Sequence, residues 1–300
     1  HLSLRRQRQM CIRDRCQSLW RRSSLGCCDG SWPVLRHVAS GPRHPLNPGP
    51  VERASDLFGA VASGYARYRL TYPPAFFEQF AARLSGDLVW DCGCGNGQAS
   101  RDLAAQGLRV MATDASAEQL ALAPSHPHVH YRCAPAEASG LDDASVDGVL
   151  VAAAVHWFAG EAFNNEVRRV CKPGAVMAWI GYLPLQLPLP ALQTLIDHFY
   201  AHTLEPFWPA ERQWVDQSYQ GLPFPGDAWA FPSDLWIERH WTLEHLIGYL
   251  GTWSAVQRSR QQGLELLTPL QLELAQAWPG AGAEALLVRW PFMGRWGRVR

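Results

Sequence analysis

From Val51 onward, runs of apolar residues at strand length alternate with segments in which apolar positions recur every three or four residues. Pro73 and Pro74 open a helical run, AFFEQFAARL, that closes before Ser85-Gly86. DLVWDC reads as a strand running straight into a glycine turn, and QASRDLAAQ as the helix leaving it. Gly107 ends that helix, and LRVMATD is a second strand closing on an acid. SAEQLALA begins with a Ser cap and a Glu two residues later. VHYRCA and VDGVLVAAA read as a third and a fourth strand. FNNEVRRVC is predicted as a helix, and AVMAWIGY, after the turn KPG, as a fifth strand.

Strands alternating with helices at this spacing predict a parallel sheet covered on both faces, because each parallel crossover needs a helix. The unbroken apolar character of the strands fits burial on both sides. In such sheets ligands bind beyond the carboxyl ends of the strands, where strand order reverses, and the glycine turn stands at one such end.

Beyond Leu183 the period is lost. LPLQLPLPALQ is Pro-rich, and residues 198–231 are dense in aromatics and Pro. DLWIERHW is predicted as a strand, LEHLIGYLGTWSAVQRSR as one helix, LELLTPLQLELAQAW as another, and ALLVRWPFMGRW as a last strand. The expected architecture is α/β: a Rossmann-like, seven-stranded, mostly parallel sheet with helices on both faces. Residues 51–300 form a single domain in this reading, and an aromatic-rich lid is inserted at about 183–230.

Composition changes this picture in two places. The formal net charge is zero, but residues 1–50 hold nine Arg and two Asp, so residues 51–300 carry 27 − 9 = 18 basic and 27 − 2 = 25 acidic side chains. A body at −7 lacks the clustered Lys and Arg that phosphate backbones require, which argues against a nucleic-acid partner. No apolar run approaches a membrane span. MCIRDR, at residues 10–15, is what a sequencing-library transposon end encodes when translated. Residues 1 to about 15 are therefore expected to be adapter read-through, and the stretch to Pro50 non-native, disordered upstream sequence; a basic targeting arm is the competing reading. Setting that stretch aside leaves Cys92, Cys94, Cys133 and Cys171, too scattered for a disulfide framework, so the expected compartment is the reducing cytoplasm.

The turn DCGCGNG offers three chemistries. A P-loop needs GxxxxGK[ST], but Gln98 and Ala99 follow Gly97. A dinucleotide fingerprint needs a third glycine where Gln98 stands, and Asp91 would be a poor neighbour for a pyrophosphate. Zinc would need a second cysteine pair beside the CxC of Cys92 and Cys94, so no metal is expected. An acid followed by alternate glycines suits a ligand bearing an ammonium, although Asp91 could also merely cap the next helix. Asp114 lies 23 residues after Asp91, the separation of a strand-turn-helix-strand unit.

Asp-x-Gly-x-Gly-x-Gly, with Asp114 closing the next strand, resembles the first motifs of class I S-adenosylmethionine-dependent methyltransferases. GYARYRLTYPP, LVAAAVHWF, EVRRVCKPGA and HLIGYLGTWSAV look like segments of the methyltransferase type 11 group similar to trans-aconitate methyltransferase. Leu70 departs from that pattern where Pro is usual. The likeness covers roughly residues 55–297. It implies S-adenosylmethionine as cofactor, held by Asp91 at its ammonium, by Gly93, Gly95 and Gly97, and by Asp114 at its ribose, with Ala153 beside it. Pro135 stands where relatives often have an Asp toward the adenine, so Ala136, Glu137 or backbone groups would serve there.

His156 and Trp157 follow the fourth strand, where the resemblance places the acceptor. His156 is the candidate catalytic residue, with a buried structural histidine as the alternative. Tyr65, Arg69, Tyr72 and Trp157 are the candidate substrate contacts, and an Arg in that leading segment could clamp a carboxylate. Trp208, Trp214, Tyr219 and Trp253 read as lid and core packing that leaves an apolar-walled pocket. The expected activity is methylation of a small molecule, foremost at the carboxylate of an organic acid, by a monomer or homodimer. A hydroxyl or carbon acceptor, an NAD-dependent oxidoreductase and a non-catalytic cofactor-binding module are the alternatives.

Overall fold

The segment Leu88–Cys92 (β1) becomes the centre of a sheet because its residues are buried on both faces. The computed structural model describes Tyr68 and residues 70–300. The expectations for residues 1–50, and for Tyr65 and Arg69, lie outside the described residues.

Around β1 stand Arg109–Asp114 (β2), Val129–Cys133 (β3), Val146–Ala152 (β4) and Cys171–Tyr182 (β5). Their order is β3-β2-β1-β4-β5, all parallel. The chain steps outward from β1 to β3 and then returns to the other side of β1, which creates the switch point between β1 and β4. Gly226–Trp229 (β6), Trp236–Trp241 (β7) and Leu286–Val299 (β8) complete an eight-stranded sheet. β8 runs antiparallel to β5; its first half pairs β7 and its last residues pair β6.

Alternation along the strands divides the core. Val176, Ala178 and Ile180 of β5 face one apolar cluster, whereas Ala175, Met177 and Trp179 face the other. Pro74–Ala81 (α1) begins with Pro at its first turn, where the missing N–H costs nothing, and buries Phe76, Phe77 and Phe80 in the first cluster. Each fully buried Phe contributes about 1.5–3 kcal/mol. Gln98–Ala104 (α2) covers the same face, while Glu161–Val170 (α4) sends Phe163, Val167 and Val170 into the second cluster. Between them Ala117–Leu120 (α3) carries the expected cap: Ser116 Oγ accepts from the Gln119 amide at 3.2 Å.

Three differences from the sequence reading have local causes. The sheet has eight strands, not seven, because β6 is four residues of edge strand hidden in the aromatic segment. The helix expected over residues 243–260 is two, Leu243–Leu250 (α7) and Ser254–Gln261 (α8), broken where Trp253 adopts an extended backbone. The segment at about 183–230, expected as an aromatic-rich lid, contains the Pro-initiated helix Pro190–His198 (α5) and the short Arg212–Asp216 (α6). Leu267–Ala277 (α9) lies close to the boundaries its pattern predicts.

Candidate active site

Asp91, the glycine turn and Asp114 converge at the carboxyl ends of β1 and β2. Gly93 and Cys94 donate their amides to Thr113 O at 2.8 and 3.0 Å, which fastens the turn to β2. Gly95 N donates to Asp114 Oδ2 at 2.7 Å, and Ser116 N to Asp114 Oδ1 at 2.8 Å. Asp91 is fully buried and accepts from Ser100 Oγ of α2 at 2.5 Å. Gln98 Nε2 donates to Leu70 O at 2.5 Å, drawing the leading segment against the turn.

Glycine is required at two of these positions for visible reasons. Gly93 has φ +71°, and a Cβ there would stand 2.8 Å from Ala154 Cβ. Gly97 has φ +75°, and its Cβ would collide with the Tyr131 ring. The result is a glycine cradle between two carboxylates, a donor and acceptor set that fits an ammonium-bearing nucleoside. Cys92 and Cys94 are buried thiols, pushed above their ordinary pKa chiefly by burial, so they stand as uncharged packing residues. Among the described residues no group of three or more His, Cys, Asp and Glu could hold a metal ion.

Ala136 is buried and Glu137 exposed in the turn that follows β3, where Ala134 N is tied to Asp114 O at 3.0 Å. Ala153 has φ +52°, an uncommon conformation for a residue with a Cβ, and its amide donates to Ile180 O at 2.8 Å. It is next to Ala154, against which Gly93 packs, and so joins the cradle to a second space.

That space is a cavity of about 140 Å³ above β4 and β5. His156 and Trp157 line it, with rings 4.9 Å apart, as do Tyr182, Trp208, Arg212, Tyr219, Tyr249 and Trp253. Tyr72 is not on the wall; it is buried one layer behind, packed against Tyr182. Trp214 is likewise set back in the second core cluster.

Burial, and then the charge of Arg212, push the His156 imidazole down to about 3, so the ring is neutral at physiological pH. Its Nδ1 is buried without a hydrogen-bond partner. Tyr219 stacks nearly parallel on it, 12° between planes at 6.3 Å. The Tyr219 hydroxyl is also buried and unpartnered, and burial raises its pKa.

Arg212 and Tyr219 escape sequence reasoning as polar cavity groups because they come from the segment without a period. Arg212 Nε donates to Tyr200 Oη at 2.9 Å and reaches Asp216 Oδ1 at 3.3 Å. Its guanidinium lies 5.1 Å from the Trp208 ring centroid and 5.5 Å from that of Tyr200. Burial works against its charge, and Tyr200 and Asp216 more than offset that, so the group stays cationic. The WxxxR spacing of Trp208 and Arg212 is the available signal, and it is too common to single out.

The methyltransferase domain family matches residues 90–179, which span β1 to β5. A solved structure from Anaeromyxobacter dehalogenans, provisionally assigned as a type II methyltransferase, is 40% identical, covers 77% of this chain and 98% of its own, and superposes with a TM-score of 0.71. The chain belongs to the class I S-adenosylmethionine-dependent methyltransferases. A Dictyostelium discoideum protein, also provisionally named a methyltransferase, is 26% identical over 78% of this chain and 90% of its own length. An uncharacterized methyltransferase of Mycobacterium tuberculosis is 37% identical over 39% of this chain; the chain spans about half, 48%, of that relative. Among the described residues of this methyltransferase, no helix is long and apolar enough to cross a membrane.

Proposed function

We propose that this methyltransferase esterifies a small organic acid at a carboxylate oxygen. The carrying observation is the composition of the cavity wall: among the described residues it contains one cation, Arg212, and no Asp, Glu, Lys or Cys. Its single imidazole is held too acidic to deprotonate a hydroxyl. A wall of that kind suits an acceptor that is anionic and already nucleophilic.

S-adenosylmethionine supplies an electrophilic methyl group on a sulfonium. Asp91 is assigned to its ammonium, Asp114 to its ribose hydroxyls, Gly93, Gly95 and Gly97 to close backbone approach, Ala136 and Glu137 to the adenine side, and Ala153 to the boundary with the acceptor. Each oxygen of Asp114 uses one lone pair on the turn and keeps another for a hydroxyl. His156 acts in this reading as a neutral hydrogen-bonding contact, and Trp157 as an apolar wall that excludes water and limits acceptor orientations. Tyr65 and Arg69, outside the described residues, stay candidate substrate contacts, and Tyr72 supports Tyr182 from behind the wall.

Relatives at 32% identity include a malonyl-acyl-carrier-protein O-methyltransferase of Erwinia billingiae and a quinone-biosynthesis C-methyltransferase of Rubrivivax gelatinosus, so their names favour no acceptor atom. The decisive experiment is transfer of labelled methyl from the cofactor into a panel of acids, phenols and amines. A base-labile methyl ester is the expected product. A base-stable ether, amine or C-methyl product, with acids left untouched, would overturn the reading.

A further inference from the structure

Among the described residues, two polar groups of the cavity wall, Arg212 and Tyr219, keep atoms that no protein partner takes, and one of them is charged. Arg212 commits only Nε to the protein, shared between Tyr200 Oη and Asp216 Oδ1. No acceptor among the described residues takes Nη1 or Nη2. Tyr200 is itself anchored, its hydroxyl donating to Asp216 Oδ1 at 2.6 Å, while Trp208 Nε1 donates to Tyr200 O at 3.0 Å. Tyr200, Trp208 and Trp253 pack edge-on or tilted at 4.9–5.6 Å, so the rings beside the guanidinium are fixed in orientation.

We infer that Arg212 is the residue that selects the methyl acceptor, its guanidinium fork clamping a planar carboxylate of the substrate while the Tyr219 hydroxyl supplies a second donor. This rests on the acid-methylating reading above and names the group that would enforce it. Tyr219 is the independent observation. Its ring is fully buried, its hydroxyl has no partner, and it lines the same cavity. The backbone is bent to place it there: Ser218 and Tyr219 both have positive φ, 52° and 61°. Arg295 Nη1 from β8 holds that bend by donating to Leu222 O at 2.5 Å. Gly181 leaves the room, since a Cβ there would stand 2.8 Å from the Tyr219 hydroxyl.

The donor set fits a carboxylate better than a phosphate. One planar fork and one phenol match two coplanar oxygens, whereas a phosphate dianion would call for a second cation, which the wall lacks among the described residues. Asp216 does not cancel the field on the cavity side. It bonds on the Nε edge, and its side chain is 41% exposed, so water screens it. Arg212 itself is 24% exposed and flanked by indole and phenol rings, where an unscreened charge acts more strongly.

The test is binding without turnover, read by calorimetric titration of the full chain saturated with S-adenosylhomocysteine. The probes are C4 to C9 carboxylic acids, each paired with its neutral amide. For the wild type, at least one acid is expected to bind about tenfold or more tightly than its amide. Arg212→Met should abolish that preference and Arg212→Lys should keep part of it, because an ammonium retains charge without the fork. Tyr219→Phe should weaken acid binding several-fold and leave amide binding less affected. Retained S-adenosylhomocysteine binding certifies each variant as folded; should Arg212→Met fail that check, Arg212→Lys decides, and an undiminished preference there overturns the inference. Equal binding of acids and amides by the wild type, or a preference that survives Arg212→Met, overturns it as well. The two readings fail differently: acid binding without ester formation sinks the esterification, whereas ester formation indifferent to Arg212→Met sinks the clamp.

Discussion

One carboxylate, at the end of β2, holds the glycine turn that follows β1: Asp114 Oδ2 receives the Gly95 amide at 2.7 Å. Asp114→Ala therefore removes a charge-assisted bond and leaves the Gly95 and Ser116 amides to find new acceptors, at a cost of about 1.5–3 kcal/mol in the site. Calorimetric titration with S-adenosylhomocysteine should show at least about tenfold weaker binding. Unchanged affinity would remove Asp114 from the cofactor site.

At Gly97 the backbone and the neighbour act together. Gly97→Ala costs about 1–2 kcal/mol for the left-handed conformation and adds a collision with the Tyr131 ring. Melting should move down by several degrees, since about 1 kcal/mol corresponds to roughly 2–4 °C in a domain of this size. In Gly97→Ala with Tyr131→Ala, the steric part should be recovered and the torsional part should not. Full recovery would show that the torsion costs nothing.

The esterification reading makes a statement about pH. Burial holds His156 at about 3, so among the described residues the cavity wall offers no imidazole that could gain or lose a proton between pH 6 and 9 and serve as a base. The ratio kcat/KM should be flat over that interval; an ascending limb with a midpoint between 6 and 8 would speak for a general base. The same imidazole affects stability in acid. Its folded pKa lies below the unfolded value, so the unfolded chain takes up the proton first and stability falls as pH drops from about 6.5 toward 3. His156→Gln should flatten that decline, by at most about 1.4 kcal/mol per pH unit.

Asp102 has the opposite linkage. Burial raises its carboxyl to about 6, and its buried Oδ2 has no hydrogen-bond partner. The folded state keeps a proton that the unfolded state loses near pH 4, so stability declines as pH rises from about 4 to 6 and the penalty is complete at pH 7. Asp102→Asn should stabilise the protein by roughly 1–3 kcal/mol at pH 7.5 and by almost nothing at pH 4. Denaturant melts at the two pH values decide it; an equal effect at both would exclude the titration as the cause.

Legible in the amino-acid sequence is whatever carries a period or a punctuation mark. Val89, Trp90, Val149 and Val151 sit in strands whose burial is nearly continuous, and the glycines of the turn announce a backbone that side chains would block. His156 and Trp157 stand out because they follow such a strand directly. Arg212 and Tyr219 do not, because their place depends on tertiary contacts: a guanidinium oriented by Tyr200 twelve residues earlier, and a phenol set by two left-handed residues with no glycine to mark them. β6 is hidden for a related reason. Gly226–Trp229 has no alternation of its own and becomes a strand only because β8 offers an edge.

β8 gives this fold an order of assembly during synthesis. It pairs with β5, β6 and β7, all of which leave the ribosome before it, and Arg295 within it fastens the Tyr219 bend. The parallel half of the sheet, and with it the glycine cradle, has all its strands once Tyr182 is made. The cavity wall has no such early scaffold: Arg295 follows the bend at Tyr219 by 76 residues and reaches it only once they have been added. A nascent chain paused between those points would have the strands of the cofactor cradle while the Tyr219 wall still lacked its brace.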